Sequence, residues 1–490
     1  MVTSLDGVEE RVKVLDWDGE GDLGNPYNWS SARKWTVAGA ALFSTFIVSL
    51  NGTSVTVAAT EINKEFHIHD SAYFSHSFWP VTSWSLGGAA FIIIGLPMIE
   101  DTGICIGFLA TYCLFFLMVI PQAVAKNFTT LLVTRFLSGG CVSLLANIIA
   151  SVIPDLWEDD RARSFPVGLY ILMYLGGTTI GPPLFTGVMQ HTRNWRWIFI
   201  IQLIIYGACF PFFYFLIRET RASVILEERA KQIRKETGER IYAVTANELS
   251  ARTRLLRSIK RPIYLLMTEP VLFASTLWSA FSFGTVFLFT QSVTQVFGGL
   301  YGWTYGTGYV QAAVVIGELL GWCLSLSSVR IYLRSARSNM ETPGQPVLEA
   351  RLYHSVWASF GGIVGGMLVY AWTSSPNIIW VAPAVGLTLV GFGIQVVVTA
   401  VTDYVTDAYA ASGYAASAVS AVACGENIFA AFLPLASQSL YTRLGYHWAS
   451  TLLALLALLL GAAPVVFMWK GQWFREKSRF MQNSIHLSSR

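Results

Sequence analysis

The chain has 490 residues, of which 53% are hydrophobic and 13% are charged, and its mean hydropathy is +0.50. Ordinary soluble domains carry roughly 25% charged residues, so this composition excludes a water-soluble globule. The net charge of +3 excludes little, because in a membrane protein the position of each charge matters more than the sum.

The chain begins with a polar, acidic segment, residues 1–34, which has no cleavable signal and is expected to stay in the cytosol. Apolar runs near the roughly 20 residues that cross a bilayer then recur in two sets of six, within 35–217 and 270–469. A charged central loop, 218–269, separates the sets, and a cytosolic tail, 470–490, follows them. The predicted spans are Trp35–Ala59, Tyr73–Pro97, Ile104–Val124, Phe128–Ile153, Phe165–Met189, Trp197–Ile217, Val271–Val296, Thr307–Leu326, Tyr353–Trp372, Ile378–Thr402, Tyr414–Ser437 and Trp448–Trp469.

The lysines and arginines test this map independently. With the N-terminus in the cytosol, 27 of the 33 fall on the cytosolic side and five on the outer side, while Arg135 lies within a span. An excess of cationic residues in cytoplasmic loops is the rule for membrane proteins. The distribution therefore predicts that both termini and the central loop are cytosolic.

The central loop carries a helical charge pattern. Glu227 and Lys231 are four residues apart with the acid first, which favours a solvated helix, and Gly238 is a stop signal for it.

A glycine and proline cluster marks the fifth span, where the sequence reads YLGGTTIGPP (Tyr174–Pro183). Gly177 and Gly181 lie on one helix face and predict close approach of a neighbouring helix. Pro182 and Pro183 remove backbone donors and predict a bend. The cluster resembles the GxxxGP signature on the fifth helix of major-facilitator antiporters, although Phe185 and Thr186 replace two small residues that usually follow.

Other segments extend this resemblance to the fungal twelve-span drug:proton antiporters of the major facilitator superfamily. They are NPYNWSSARKW (25–35), TRFLSGG (134–140), WRWIFIIQL (195–203), ETRASVILEERAKQIRKETG (219–238), TEPVLF (268–273), PVLEARL (346–352), TDYVTDAYAASGYAASA (402–418) and YTRLGYHWASTLLALLALLL (441–460). The resemblance implies an all-α membrane protein with the major-facilitator fold, in which twelve transmembrane helices form two six-helix bundles.

Four further positions depart from the family pattern. The loop after the second span keeps Glu100 and Gly103, but Ile104 and Cys105 replace the two arginines that usually help to close a cytosolic gate. Glu426 stands where the eleventh helix usually has arginine, and Asp403 where the tenth usually has asparagine.

The candidate functional residues are ionisable or amide groups inside spans, where a charge costs roughly 2.5–3.5 kcal/mol. Arg135 matches the arginine of a family motif, and the resemblance implies that it couples proton movement to substrate; the alternative is a cation held by carbonyls or a carboxylate. For the substrate or proton pathway, the other candidates are Glu318, Glu426, Asn51 and Asn147; for gating and the helix bend, they are Gly177, Gly181, Pro182, Glu100, Gly103, Asp403 and Asp407.

The sequence contains no P-loop, no G-x-S-x-G and no cysteine or histidine cluster, so we expect neither an enzyme nor a metal or cofactor site. By resemblance, the function is efflux of a small amphipathic organic compound, such as a drug, toxin, secondary metabolite or polyamine, by alternating access. A proton gradient would supply the energy. The expected partners are the substrate, protons and the lipid bilayer, without nucleic acid, and the expected state is a monomer in the plasma membrane, with the vacuolar membrane as the alternative.

Two other functions stay open at this point. One is export of an organic acid with Arg135 as the anion site. The other is a non-transporting membrane receptor that kept the fold.

Overall fold

The protein is described by a computed structural model over residues 13–19, 21–71, 74–238, 241–243, 251–304, 306–337, 339, 344–410, 412–478 and 480–481. The side chains of 13, 14, 95–102, 160, 243, 251–255, 257 and 258 are also outside this description.

The first half of the chain forms six long helices. Their starts follow from local capping: the side chain of Asn127 accepts a hydrogen bond from the N–H of Thr130 at 2.7 Å, and that of Asp159 accepts one from Ala162 at 3.3 Å. The helices are α1 (Ser31–Phe66, including one 3₁₀ turn), α2 (Trp79–Thr102), α3 (Ile104–Ala123), α4 (Phe128–Leu156), α5 (Asp160–Thr192) and α6 (Arg196–Leu216).

The segment between the halves contains the helices α7 (Ala222–Thr237) and α8 (Ala251–Thr268). As predicted, α7 ends at Gly238, whose φ is +72°, and Lys231 Nζ lies 2.9 Å from Glu227 Oε1. The pairing of this segment with the N-terminal tail was not predicted. Strand β1 (Lys13–Leu15) runs parallel to β2 (Ile241–Ala243).

An ion pair holds the same tail against α7. Arg229 Nη1 lies 2.7 Å from Asp22 Oδ2, and the N–H of Gly24 donates to Asp22 Oδ1 at 2.7 Å. The hydrogen bond from the Arg229 guanidinium has the larger effect on the Asp22 carboxyl and that from Gly24 the smaller, and together they hold its pKa well below the usual range. The tail is therefore fastened to the central segment by charge as well as by backbone pairing.

The second half repeats the arrangement with α9 (Pro270–Tyr301), α10 (Thr307–Ser335), α11 (Leu348–Thr373) and α12 (Val381–Ala410). One further helical stretch, Ala415–Lys477, is interrupted at Gly445, where φ is +75° and ψ is 170°. We name its two parts α13, before Gly445, and α14, after it. The interruption lies within the predicted loop between the last two spans.

Within the described residues, ten helical stretches are long and apolar enough to cross a membrane. The α5 helix is not among them, because glycine, threonine and proline lower its hydropathy. Ala415–Lys477 counts once although α13 and α14 are separate spans. Including α5, and counting α13 and α14 separately, gives the twelve spans that the sequence predicted.

The two halves meet along two pairs of helices. Thr82 on α2 donates to the carbonyl of Ala431 on α13 at 2.9 Å, and Thr179 on α5 donates to Glu318 on α10 at 2.7 Å. Large apolar side chains such as Phe215 and Leu459 are instead exposed on the outside, as in a lipid-facing surface.

We call the end of the bundle at which α5 begins and α12 ends the terminal face, because the N-terminal tail and α7 also lie there. The other end, where α5 ends and α6 begins, is the opposite face.

Candidate functional site

A cavity lies between the two halves, in the part of the bundle nearer the terminal face. Its empty space of about 710 Å³ includes solvent at the open side of the cavity. Helices from both halves line it, with the side chains of Ile92, Ala146, Asn147, Ala150, Tyr170, Ile171, Tyr174, Leu175, Phe283, Val398, Thr402, Val405, Val419, Val422, Ala423, Glu426 and Asn427.

Glu426 on α13 is the acidic residue of this wall. Its Oε1 accepts a hydrogen bond of 2.5 Å from the hydroxyl of Ser279 on α9, which fixes the carboxyl group in position. Tyr174 and Phe283 stack nearby with ring centroids 5.9 Å apart and planes 9° apart. The site thus combines one carboxylate with a largely apolar, aromatic surface.

Asn147 on α4 also faces the cavity. Its Nδ2 donates to the carbonyl of Ser143 at 2.8 Å, so the amide nitrogen is held against its own helix. Asn427, on the same wall, receives a hydrogen bond of 3.5 Å from Ser143 Oγ and packs tightly against Gly88 on α2.

Glu318 lies outside the cavity lining, at the contact between α10 and α5. The side chain is fully buried, and its Oε1 accepts the hydroxyl of Thr179 at 2.7 Å. Its Oε2 has no hydrogen-bond partner among the described residues. A buried carboxylate with one hydrogen bond would be costly, so this contact between the halves favours the protonated form.

Arg135 on α4 is fully buried in the interior of the first half. Its guanidinium donates to three backbone carbonyls, those of Pro80 (2.9 Å), Asn51 (2.7 Å) and Gly52 (2.5 Å). These contacts match the alternative that the sequence left open, retention by carbonyls. Arg135 does not line the cavity.

Asn51 belongs to the same interior network. Its Nδ2 donates to Gln202 Oε1 at 2.9 Å, and Gln202 Nε2 donates in turn to the hydroxyl of Ser54 at 2.7 Å. The side chain is fully buried and, like that of Arg135, lies away from the cavity. Its place in a substrate or proton pathway remains a prediction.

The glycine pair of α5 packs against α1. A Cβ atom at Gly177 would lie 2.5 Å from the carbonyl oxygen of Phe46, and one at Gly181 would lie 3.1 Å from that of Leu50. Pro182 has no N–H for the carbonyl of Thr178, four residues earlier. That carbonyl instead accepts the hydroxyl of Thr53 on α1. The predicted close approach is therefore present, and α5 continues through both prolines to Thr192.

The loop between α2 and α3 is held by an acid from beyond α6. Gly103 has φ +88°, and the N–H of Cys105 donates to Glu219 Oε2 at 3.1 Å. Glu219 Oε1 also accepts the N–H of Arg221 at 2.9 Å. The Glu219 carboxylate thus lies at the start of α3, beside Cys105, which is one of the two residues at the positions of the family's arginine pair. The side chain of Glu100 lies outside the described residues.

Asp403 and Asp407 on α12 form an ion cluster with Arg351 and Arg163 at the terminal face. Arg351, which is 3% exposed, lies 2.9 Å from Asp407 Oδ2 and 3.8 Å from Asp403 Oδ2. Arg163 on α5 lies 3.5 Å from Asp407 Oδ1. Because α5 and α12 belong to different halves, Asp407 links them. We call these four residues the terminal ion cluster.

Sequence reasoning did not identify several residues that the structure brings to these sites. Ser279 and Tyr170 lie in apolar runs that gave no polar signal, and Arg163 lies in a short loop that was read only for its charge. The stretch that contains Tyr174 was identified, but for its glycines and prolines.

A twelve-helix membrane protein with a cavity between two halves is a transporter in its architecture. A family model described as Major Facilitator Superfamily matches residues 41–424. The chain belongs to the major facilitator superfamily, and it is a membrane transporter and not an enzyme.

Fungal transporters resemble it over most of their length. The MFS-type transporter paaT of Penicillium rubens is 32% identical over 463 residues, covering 94% of this chain and 82% of the relative. The efflux pump radE of Floropilus chiversii is 29% identical, with 97% and 88% covered. The multidrug transporter FLU1 of Candida albicans is 27% identical, with 95% and 76% covered.

A solved structure supports the fold alone. The human organic anion transporter MFSD10 (TETRAN) superposes with a TM-score of 0.55 at 14% identity, covering 88% of this chain and 99% of the other.

Proposed function

We propose that the protein exports a small amphipathic organic compound in exchange for protons. The observation that carries this proposal is the cavity between the halves, whose lining is mainly aliphatic and aromatic with a single carboxylate, Glu426. An apolar wall with few polar groups suits an amphipathic ligand. The similar efflux pump and multidrug transporter support export as the direction.

Proton coupling is assigned to Glu318. Its hydrogen bond with Thr179 joins the two halves, and its second oxygen is unpartnered among the described residues. When the halves separate around the midplane site, water could reach this carboxyl group and take its proton. Closing the contact would then require a proton to be bound again.

The test uses Glu318→Gln in proteoliposomes. A panel of amphipathic toxins is first tested on growing cells. The substrate for the flux assay is the toxin whose inhibition of growth is relieved when the protein is overproduced. Glutamine keeps an acceptor oxygen for Thr179 but has no group that can bind and release a proton in this pH range. We expect the variant to lose pH-driven uphill flux and to keep substrate exchange without a pH gradient.

Thr179→Val is the matched control, because it removes the hydrogen bond and leaves the acid in place. It should retain pH-driven flux, although at a changed rate. Wild-type-like pH-driven flux in Glu318→Gln would rule out this carboxyl as the proton carrier. Absence of uphill flux for every compound in the wild type would favour the receptor alternative.

Export of an organic acid through Arg135 is less well supported. Three carbonyls already occupy the guanidinium, which is fully buried away from the cavity. An anion at this position would have to displace them.

We further propose that both termini are cytosolic and that the protein resides in the plasma membrane. The 27 to five distribution of lysine and arginine supports this orientation. Epitope tags at Met1, Gly238 and Arg490 should each resist protease added to intact cells. Digestion of the Gly238 tag alone would contradict the orientation.

A further inference from the structure

The cavity carries one formal charge. Among the described residues that line it, Glu426 is the acid, and no lysine, arginine or histidine is present. Arg163 and Arg351 lie against acids at the terminal face, and the guanidinium of Arg135 donates to backbone carbonyls in the interior of the first half. A ligand in this cavity therefore meets one carboxyl group that has no cationic partner among the described lining residues.

Two uncharged polar groups of the wall, Thr402 and Asn147, can accept hydrogen bonds from a ligand. The hydroxyl proton of Thr402 is donated to the carbonyl of Val398 at 2.8 Å, so its oxygen can only accept from a ligand. The Nδ2 of Asn147 donates to the carbonyl of Ser143, and its Oδ1 can accept a hydrogen bond. Glu426 Oε1 accepts a hydrogen bond from the Ser279 hydroxyl, and an ionised carboxylate can only accept hydrogen bonds.

Aromatic rings complete the wall. Tyr170, Tyr174 and Phe283 line the cavity together with Glu426, and the stacked pair of Tyr174 and Phe283 offers a flat apolar surface. Aromatic faces attract cations as well as apolar groups, by about 0.5–2 kcal/mol for a cation.

From this combination we infer that the cavity selects organic monocations that carry N–H donors, that is, protonated amines attached to an apolar body. Glu426 pairs with the ammonium group, Thr402 and Asn147 accept its remaining N–H groups, and the aromatic rings hold the apolar part. A bound ammonium in turn stabilises the ionised form of Glu426. The inference rests on the proposed export function for its physiological meaning, but binding tests it separately.

The test measures binding to the purified protein in lipid nanodiscs by displacement of tritiated phenylbutylamine. Competitors share the same phenylbutyl body and differ in their head group: the amine, the trimethylammonium compound, the alcohol and the carboxylate. Because hydrogen bonds to charged groups are the strong ones, we expect the amine to bind about tenfold more tightly than the alcohol. The trimethylammonium compound should be weaker than the amine, and the carboxylate weakest.

Glu426→Gln should reduce the preference for amine over alcohol to less than about threefold, and Glu426→Asp should retain it. Glu269→Gln is the matched control, because Glu269 is a buried acid of the same half that does not line the cavity. It should leave the preference unchanged.

Equal binding of amine and alcohol by the wild type would overturn the inference, as would an unchanged preference in Glu426→Gln. Equal binding of the trimethylammonium compound would overturn the role of the N–H donors. If Glu426→Gln does not fold, the affinities of the four ligands for the wild type and for Glu426→Asp still test the inference. Uphill flux of a neutral compound, without a preference for amines, would refute this inference and leave the export proposal standing. Amine-selective binding without uphill flux would support this inference and contradict the export proposal.

Discussion

At the scale of single residues, burial separates polar side chains that look alike in the sequence. Asn51 and Asn147 are both amides inside apolar spans, yet Asn51 is enclosed by Gln202 and its neighbours while Asn147 lines the cavity. Glu318 and Glu426 differ similarly, one lying at a contact between helices and the other on an open wall. The chemical role of each group depends on which face of its helix it occupies.

Arg135 gives a sharp prediction at this scale. Its Nε, Nη1 and Nη2 reach three carbonyls in different directions, and a lysine ammonium at one point should leave one or two of them unsatisfied. At roughly 1–3 kcal/mol for each unmet group, Arg135→Lys should lower Tm in detergent by several degrees. Arg163→Lys, at a partly exposed position, should change Tm little. An unchanged Tm with selective loss of organic-acid transport would instead support the anion-site alternative.

At the scale of helices, the contact of α5 with α1 depends on the absence of side chains. A Cβ at Gly177 would meet the Phe46 carbonyl at 2.5 Å, a backbone atom that moves only if α1 moves. Overpacking of this kind costs about 1–3 kcal/mol. Gly177→Ala should therefore impair both Tm and flux.

Two other glycines, Gly181 in the same contact and Gly39 outside it, provide graded controls. A Cβ at Gly181 would lie 3.1 Å from the nearest atom, and one at Gly39 on α1 would meet nothing within 4 Å. Gly181→Ala should be milder than Gly177→Ala, Gly181→Leu should reduce flux at near-normal protein level, and Gly39→Ala should be neutral. Equal effects of Gly177→Ala and Gly39→Ala on flux, at matched surface expression, would contradict a role for the close approach.

Helices were the most predictable level of this structure. Hydropathy located the twelve spans, the glycine spacing located the contact of α5 with α1, and Gly238 located the end of α7. The rotation of each span could not be predicted, because a helix surrounded by lipid and other helices is apolar on every side and shows no clear periodicity. The sequence therefore named Glu426 and Asn51 together, although only Glu426 faces the cavity.

Contacts between distant segments were also beyond the sequence. Pairing of β1 with β2, and of Asp22 with Arg229, joins segments more than 200 residues apart. No local pattern signals such a pairing. The loss of the arginine pair after α2 was visible, but its replacement by Glu219 at the N–H of Cys105 required the folded chain.

At the scale of the whole molecule, the terminal ion cluster joins the two halves. Arg351 is buried with Asp407 in the second half, whereas Arg163 comes from the first half. Arg351→Gln would remove the buried cation of the cluster and should destabilise the fold. Arg163→Gln removes the cation that the first half contributes, so comparison of the two variants separates closure of the terminal face from stability of the second half.

The last prediction follows from this separation. A partly exposed ion pair contributes about 0.2–1 kcal/mol, so Arg163→Gln should shift the equilibrium toward an open terminal face by up to about fivefold. Thiol labelling at Ala150→Cys, on the cavity wall, should accelerate accordingly in a chain whose six native cysteines have been replaced. Arg163→Lys keeps the cation and should label at the original rate. An unchanged labelling rate in Arg163→Gln, at unchanged Tm, would mean that closure of the terminal face depends on the apolar contacts of α5 with α10 and of α2 with α13, and not on the bridge from Arg163 to Asp407.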